Sequence, residues 1–531
     1  MEQLGLIMGL LFVTVLAVGI GDRLKLPYPV LMLLMAMGMT FIPGFPDFAV
    51  APELILPIFL PPLLFATAQR SSWQVFQVRW RTLLWLAVGL VVVTTAAVAG
   101  AAWLLIPGIG LPAAIALGAM VAPPDPVAVE SVAGKVKMPR KIMNVLQSEG
   151  LFNDAAAIVV FQAAAAATLA GKNVDLSLVP LFFLGIAVAV AVGVAMGYAA
   201  KLVTWLVTAG VARTAVSLVV PFAAYILAEE LHASGVIAVV VVALELKRHA
   251  RAEDAAERVN QAAFWDVVEM LATGLAFGLV GLDIRQVIHE QGGAVVGMLP
   301  AALAVCAVTV VVRFVWMWLY LTVRREAFRG DALARAKAVV VLTYSGMRGL
   351  ATLALALALP LSLTDGSAFP ERDQILVTAC TVLIVTLVIP GLTLPVLMKA
   401  LNAQDDGSEE KETTRLLIHR ARRAAFQAVA ESGLKDQLTQ GQRQLLTQRF
   451  KGLEVEAMSP HGAAGPRDIS DEERERHAKK REFAIAIQTV ALDAARREVL
   501  AARREPGTDP EVADHVLRQL DLQTMIVPER A

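Results

Sequence analysis

The chain is organised around residues 120–161, which read MVAPPDPVAVESVAGKVKMPRKIMNVLQSEGLFNDAAAIVVF. It places three carboxylates, Asp125, Glu149 and Asp154, in apolar runs that are otherwise suited to crossing a bilayer. A charged group at the centre of a membrane costs about 2.5 to 3.5 kcal/mol on insertion scales, so it is rare there and indicates function by default. The stretch therefore predicts an ion site inside a membrane protein.

The first apolar run of this stretch is interrupted by its own prolines. Pro123, Pro124 and Pro126 surround Asp125, and proline removes a backbone donor and clashes with the preceding turn. Backbone that is freed at membrane depth is tolerated only where protein or a water-filled cavity satisfies it. An unwound segment that holds a carboxylate favours an ion site. The alternative is a proline kink with an aspartate near the membrane interface.

The composition is that of a multi-span membrane protein. Of 531 residues, 57% are hydrophobic and 18% are charged, which is too apolar for a soluble globular chain. The apolar composition makes membrane lipid the expected surrounding. The formal net charge is zero, so no nucleic-acid partner is expected. The apolar runs contain no phosphate-binding loop, nucleotide fingerprint or His/Cys cluster, so no cofactor is expected.

We predict an all-α membrane domain over residues 1–400 with about thirteen transmembrane helices. Lys and Arg collect on alternate loops between the spans, which places those loops in the cytoplasm. The odd number of spans predicts a multi-pass protein of the plasma membrane with its N-terminus outside and its C-terminus in the cytoplasm. The spans are the apolar runs of about 17 residues or more, centred near residues 12, 35, 60, 95, 122, 157, 190, 222, 241, 272, 308, 348 and 386.

Two triplets of spans, the fourth to sixth and the eleventh to thirteenth, are predicted to form an inverted repeat. The middle member of each triplet is interrupted, at residues 123–126 and at residues 345–349. Paired interruptions at corresponding positions of two halves are typical of transporter sites in which two unwound helices cross. The sequence thus predicts a binding site at such a crossing.

Residues 401–531 are predicted to form a separate cytoplasmic domain of three or four amphipathic helices. This part is rich in Arg, Glu and Gln. Residues 470–473 match a capping box at the start of a helix. Asp509 and Pro510 match a helix cap followed by proline at the first helical position. Dimerisation or regulation is one interpretation of the domain, and a solvated extension that packs only on itself is the other.

Five ordered motifs resemble one family. They are DPVAV at residues 125–129, GLFNDA at 150–155, YILAEELHASG at 225–235, a stretch that begins with Phe-Trp at 264–281, and GMRG at 346–349. Over essentially residues 1–400 the chain resembles the monovalent cation:proton antiporters of the NhaP and eukaryotic sodium/proton exchanger type. The resemblance implies exchange of Na⁺, or K⁺ or Li⁺, for protons, and a homodimer.

The resemblance also implies roles for individual residues. Asp154 would bind the cation or the proton, Asn153 would be its neutral partner, and Asp125 would be the second carboxylate of the cation site. The Asn-Asp pair, as distinct from Asp-Asp, implies electroneutral exchange. On a continuous helix Glu149, at i, would share one face with Asn153 and Asp154, at i+4 and i+5.

Other charged residues in the spans are expected to support this site. Arg313 and Arg348 match two arginines of the family, and we predict Glu149 as the partner of Arg313 because a buried charge needs one. A purely architectural salt bridge is the alternative for Arg313. Arg348 is also placed to balance the dipole ends of the interrupted helices. For Asp266 and Glu269, a structural or cavity-lining pair is favoured over a role as cation ligands.

The sequence departs from the family pattern at three positions. Many members have an acidic residue where Ala66 lies here, a serine where Gly150 lies, and a threonine where Pro124 lies. These differences remove candidate oxygen ligands and leave the cation preference open. Thr67, Ser148 or backbone carbonyls of the interrupted span are the expected substitutes.

The expected mechanism is competition between a cation and a proton for Asp154, with the site exposed to the two sides of the membrane in turn. Two other classes fit an intramembrane carboxylate. An intramembrane aspartyl hydrolase would use Asp125 and Asp154 as a dyad, but the Asn beside Asp154 and the paired helix interruptions favour transport. A cation channel would conduct without coupling to a proton gradient.

Overall fold

The computed structural model describes residues 2–24, 26–39, 52–70, 84–125, 129, 138–150, 153–171, 179–207, 209–248, 255–323, 332–403, 408–432, 471–503, 505 and 510–525. Regular structure in these ranges is helical, apart from an isolated β-bridge between Ser362 and Ala368. The prediction of an all-α fold is therefore confirmed.

The helices described up to residue 403 are numbered here in chain order. A π-helical turn opens α4 at Leu84–Gly89, and another lies within α15 at Ile384–Val388. The bounds are α1 Glu2–Leu24, α2 Tyr28–Met39, α3 Pro52–Arg70, α4 Leu84–Leu105, α5 Leu111–Val121, α6 Arg140–Gly150, α7 Asn153–Leu169, α8 Val179–Leu206, α9 Gly210–Glu230, α10 Gly235–Arg248, α11 Ala255–Gln291, α12 Ala294–Val323, α13 Ala332–Tyr344, α14 Leu350–Leu357 and α15 Arg372–Ala400.

Seven of the described helices, α1, α4, α8, α9, α11, α12 and α15, are long and apolar enough to cross a membrane. Several of their large apolar side chains are exposed, such as Phe12 at 64% and Trp205 at 74%, which suits a lipid environment and not water. The chain is a multi-pass membrane protein. Each of the thirteen predicted centres falls within a helix or at the interruption after α5 or α13, and the number of crossings stays a prediction.

Both predicted interruptions lie between helices. Helix α5 ends at Val121, just before Pro123 and Pro124 remove two backbone donors. Helix α13 ends at Tyr344, and residues 346–349 are not helical before α14 begins at Leu350. Residues 126–128 and 130–137 lie outside the described ranges, so a full crossing of the two spans stays a prediction.

The helices around the interruptions form the packed interior of this unit. Helix α5 packs against α4 and α7, α12 packs against α4 and α15, and the short helix α14 contacts α3, α5 and α7. The interruption that precedes α14 is thereby placed among helices from both predicted halves.

The chain has two compact units. The first comprises Met1–Arg248 and Trp265–Asp406, and the second His249–Phe264 and Gly407–Ala531. The second unit thus includes a segment that the prediction placed in the membrane domain. Its helices are α16 Ser408–Glu431, α17 Asp471–Ala502 and α18 Pro510–Met525, and its core joins side chains of all three, such as Ile418, Ala495 and Val516.

Candidate cation site

The interruption after α5 and the interruption before α14 touch each other directly. The backbone N–H of Asp125 donates a hydrogen bond of 2.7 Å to the carbonyl oxygen of Met347. A Cβ atom at Gly349 would lie 1.7 Å from Asp125 Oδ2, so only glycine fits beside this carboxylate. The contact gives a backbone donor of the unwound segment a protein partner, as burial in a membrane requires.

The start of α7 is fastened to the same segment by Asn153. Its Nδ2 donates to the carbonyl oxygen of Pro124 at 2.6 Å, and its Oδ1 accepts the backbone N–H of Asp154 at 2.7 Å. Asn153 is fully buried. The amide therefore holds the α5 interruption against α7, and Asp154 lies in the first helical turn of α7, where the helix dipole favours negative charge.

Asp125 and Asp154 line one cavity, whose empty space is about 720 Å³ with its open mouth included. Thr67 of α3 lines it too, and Gly349 and Ala351 form part of its wall. None of the described lining residues is Lys, Arg or His. The described lining therefore offers carboxylate and hydroxyl oxygens, which are ligands suited to cations and protons.

Helix α11 contributes two more polar residues to this cavity. Glu269 and Thr273 are each 4% exposed, and both line it. They lie one helical turn apart, at i and i+4, and so share a face of α11. Glu269 is thus cavity-lining, as one of the two sequence interpretations expected, whereas Asp266 is exposed and is not among the described lining residues.

Glu149 and Arg313 form a buried ion pair outside the described cavity lining. The guanidinium engages both carboxylate oxygens, with Nη2 2.9 Å from Oε2 and Nη1 in contact with Oε1. Both side chains are 1% exposed, and Arg313 Nε also donates to the Leu342 carbonyl at 3.1 Å. The predicted partnership is confirmed. Since Glu149 contacts Arg313, it does not join Asp154 in the cavity lining.

Arg348 forms hydrogen bonds with backbone groups of both interruptions. Its Nε donates to the Val121 carbonyl at 2.9 Å and its Nη2 to the Ala122 carbonyl at 3.4 Å, both at the end of α5. Its Nη1 donates to the Gly346 carbonyl at 2.5 Å. Carbonyls at a helix end have no partner within the helix and carry partial negative charge. Arg348 thus lies where it balances the end of α5, one of the two roles considered from the sequence.

Sequence reasoning found some of these residues and missed others. It singled out Thr67 as a substitute ligand, and Thr67 lines the cavity; the side chain of Ser148 lies outside the described residues. It did not single out Thr273, nor Thr386, whose hydroxyl accepts the backbone N–H of Arg348 at 3.3 Å. The spacing of Glu269 and Thr273 on one helix face was the only signal that could have found Thr273.

The fold resembles a solved antiporter. The structure of the sodium proton antiporter MjNhaP1 from Methanocaldococcus jannaschii at pH 8 matches with a TM-score of 0.58 and 18% sequence identity. The match covers 76% of this chain and 99% of that one. At this identity the likeness concerns the fold alone.

Sequence relatives lead to the same family. An uncharacterised Na⁺/H⁺ exchanger of Mycobacterium tuberculosis (strain H37Rv) is 31% identical over 442 residues, which are 80% of each chain. A sodium, potassium, lithium and rubidium/H⁺ antiporter of Bacillus pumilus is 30% identical over 71% of this chain and 59% of its own length.

The family profile described as sodium/hydrogen exchanger, transmembrane, matches residues 9–400. The relatives are named as antiporters, which are transporters and not enzymes. The resemblance to antiporters of the NhaP type is therefore confirmed, and the reading as an aspartyl hydrolase is set aside. The chain belongs to the sodium/hydrogen exchanger family, whose members exchange cations and protons across membranes.

Proposed function

We propose that this protein exchanges a monovalent cation for protons by competition at Asp154. Na⁺ is the first candidate cation, and K⁺ and Li⁺ are the others, since the Bacillus pumilus relative is named for sodium, potassium, lithium and rubidium. The observation that supports the proposal is that Asp154 and Asp125 line one cavity where the two interruptions touch. Carboxylate, hydroxyl and carbonyl oxygens are the ligands that hard cations prefer.

Competition follows from the cost of an empty charged site. A carboxylate that is withdrawn from water is stable when a proton or a cation neutralises it, and unfavourable when bare. The state that reorients across the membrane would therefore hold one of the two ions. Inward flow of one ion is then coupled to outward flow of the other, and no cofactor takes part.

We expect electroneutral exchange, with Asn153 fixing the site and not adding a charge to it. We place the protein in the plasma membrane with its N-terminus outside and its C-terminus in the cytoplasm, as a homodimer. An imposed membrane potential should then leave the rate of exchange unchanged in vesicles, whereas an electrogenic exchanger would respond to it.

The assignment of Asp154 is tested in proteoliposomes that contain a pH-sensitive dye. A pulse of Na⁺, Li⁺ or K⁺ should move protons through the wild type and through Asp365→Asn, which makes the same substitution in an exposed loop. Asp154→Asn should abolish this movement because the amide can neither hold nor release a proton. Wild-type exchange by Asp154→Asn would refute the assignment. A cation flux that moves no protons would favour a channel instead.

A further inference from the structure

The peptide bond between Met347 and Arg348 connects the candidate site to helix α15. Its carbonyl oxygen accepts the N–H of Asp125 at 2.7 Å, and its N–H donates to the hydroxyl oxygen of Thr386 at 3.3 Å. The C=O and the N–H of a trans peptide point in opposite directions within one rigid plane. A hydrogen bond on the Thr386 side of this plane therefore restricts the carbonyl that holds the backbone of Asp125.

The hydroxyl of Thr386 makes two hydrogen bonds in this arrangement. It donates to the Val382 carbonyl at 2.7 Å, one turn earlier in α15, and it accepts the N–H of Arg348. Among the described residues, Thr309 and Thr378 use their buried hydroxyls only to donate to the carbonyl four residues earlier, at 2.8 and 2.7 Å. Thr386 differs from them because its oxygen also binds the backbone of a distant segment.

The local structure around Thr386 is unusual, and the contact is buried. Thr386 lies in the middle of the π-helical turn Ile384–Val388, and such turns are rare and occur frequently at functional sites. Thr386 is 5% exposed and Arg348 is 2% exposed. A buried backbone N–H that loses its acceptor does not find water in its place. The hydroxyl of Thr386 is therefore a partner that the Arg348 N–H cannot readily replace.

We propose that Thr386 is a positioning residue for Asp125 and acts through the Met347–Arg348 peptide. The proposal rests on the proposed function, in which Asp125 is the second carboxylate of the cation site. Three hydrogen bonds lead from the site to α15, from Asp125 to Met347, from Arg348 to Thr386 and from Thr386 to Val382. Hydrogen bonds in such a chain polarise and strengthen one another. Loss of the Thr386 hydroxyl thus loosens the backbone that carries Asp125.

The contact is tested by hydrogen–deuterium exchange of the purified protein, resolved with overlapping peptides. Thr386→Val keeps nearly the same shape and removes the acceptor, so the amides of Arg348 and Asp125 should exchange about fivefold faster, the factor that one ordinary hydrogen bond supplies. Thr386→Ser should restore slow exchange. The control Thr378→Val removes a buried hydroxyl from the same helix and should leave both amides unchanged. Wild-type protection of these amides in Thr386→Val overturns the proposal.

The effect on the site is measured as exchange in proteoliposomes over a range of Na⁺ concentrations. Thr386→Val should raise the half-saturating Na⁺ concentration about fivefold, because Asp125 is held less firmly in its binding position, and should change the rate at saturating Na⁺ less. Thr386→Ser should return this concentration to the wild-type value, and Thr378→Val should not alter it. Thr386→Ala makes the same comparison if the valine variant does not reach the membrane. An unchanged concentration in the variant without the hydroxyl, or an equal rise in Thr378→Val, overturns the positioning role.

The two measurements separate this proposal from the proposed function. A wild type that exchanges no cation for protons refutes the proposed function, whatever the amides of Arg348 and Asp125 show. Unchanged amide protection in Thr386→Val refutes the positioning role, even when the wild type exchanges normally.

Discussion

At the scale of single residues, Glu149 and Arg313 form a buried ion pair in the described membrane unit. Each side chain is 1% exposed, so each depends on the other for neutralisation. Such a pair adds little stability relative to a well-packed apolar pair, but removing one partner leaves the other charge uncompensated. Its physical effect is to make the positions of α6 and α12 interdependent.

We predict that Glu149→Gln destabilises the protein by about 3 to 5 kcal/mol, the cost of leaving a buried charge without its partner. The double variant Glu149→Gln with Arg313→Met should recover most of that loss because it removes both charges. Thermal unfolding in detergent compares the stability of the wild type, the single variant and the double variant. Asp365→Asn in an exposed loop is the control. A melting temperature of Glu149→Gln equal to that of the wild type would contradict the predicted destabilisation.

At the scale of elements, the site depends on two interrupted segments that fit against each other. The Asp125–Met347 hydrogen bond and the absence of a side chain at Gly349 allow the backbones to approach. Arg348, which lies in the interruption before α14, donates hydrogen bonds to carbonyl groups at the end of α5. A close-packed contact has no spare volume, so even one methyl group must displace a neighbour.

Gly349→Ala should lower the exchange rate about fivefold or more, since overpacking a fitted contact typically costs about 1 to 3 kcal/mol and here the cost disfavours the working position of Asp125. The added Cβ would meet the Asp125 carboxylate and shift it in the cavity. The matched control is Gly297→Ala in α12, where a Cβ meets nothing within 4 Å. Initial rates per reconstituted protein compare the two, and equal rates would show that the contact does not position Asp125.

At the scale of the whole molecule, the second unit has its own core and its own charge network. Arg420 of α16 contacts Glu498 of α17 at 2.9 Å and Glu505 just beyond α17 at 2.5 and 2.6 Å. Hydrogen bonds from the Arg420 guanidinium hold the pKa of Glu505 below its ordinary value. A carboxyl whose folded pKa is depressed stabilises the fold at neutral pH, and this contribution is lost as the pH falls through that pKa.

Acidification from about pH 7 to about pH 4, which protonates carboxyl groups, should therefore loosen α16. Amide hydrogen exchange of the intact protein, corrected for the intrinsic pH dependence of exchange, measures this as a loss of protection in α16. The effect should be modest because these side chains are partly solvated. Arg420→Met should remove most of the pH dependence, while Arg423→Met, at an exposed arginine, should retain it. An identical pH response in both variants would exclude the network as its cause.

The class of the molecule and several of its candidate site residues can be read from the pattern of apolar runs, prolines and charges. Hydrophobic runs specify membrane helices because the bilayer offers no partners for a bare backbone, and prolines locate the interruption after α5 without any tertiary information. A carboxylate in such a run is expensive, so Asp125 and Asp154 were identifiable from their surroundings, as was the need of Arg313 for an acidic partner.

Which polar groups share a cavity depends on how distant helices pack. The amide of Asn153 binds backbone at Pro124 and Asp154, and its place beside Asp154 in the sequence does not specify these partners. Glu149 pairs with Arg313. The cavity of Asp154 is lined instead by Glu269 and Thr273, which lie more than a hundred positions away along the chain. Local periodicity specifies a helix face, but the partner of that face depends on how distant helices pack, which spacing in one segment does not encode.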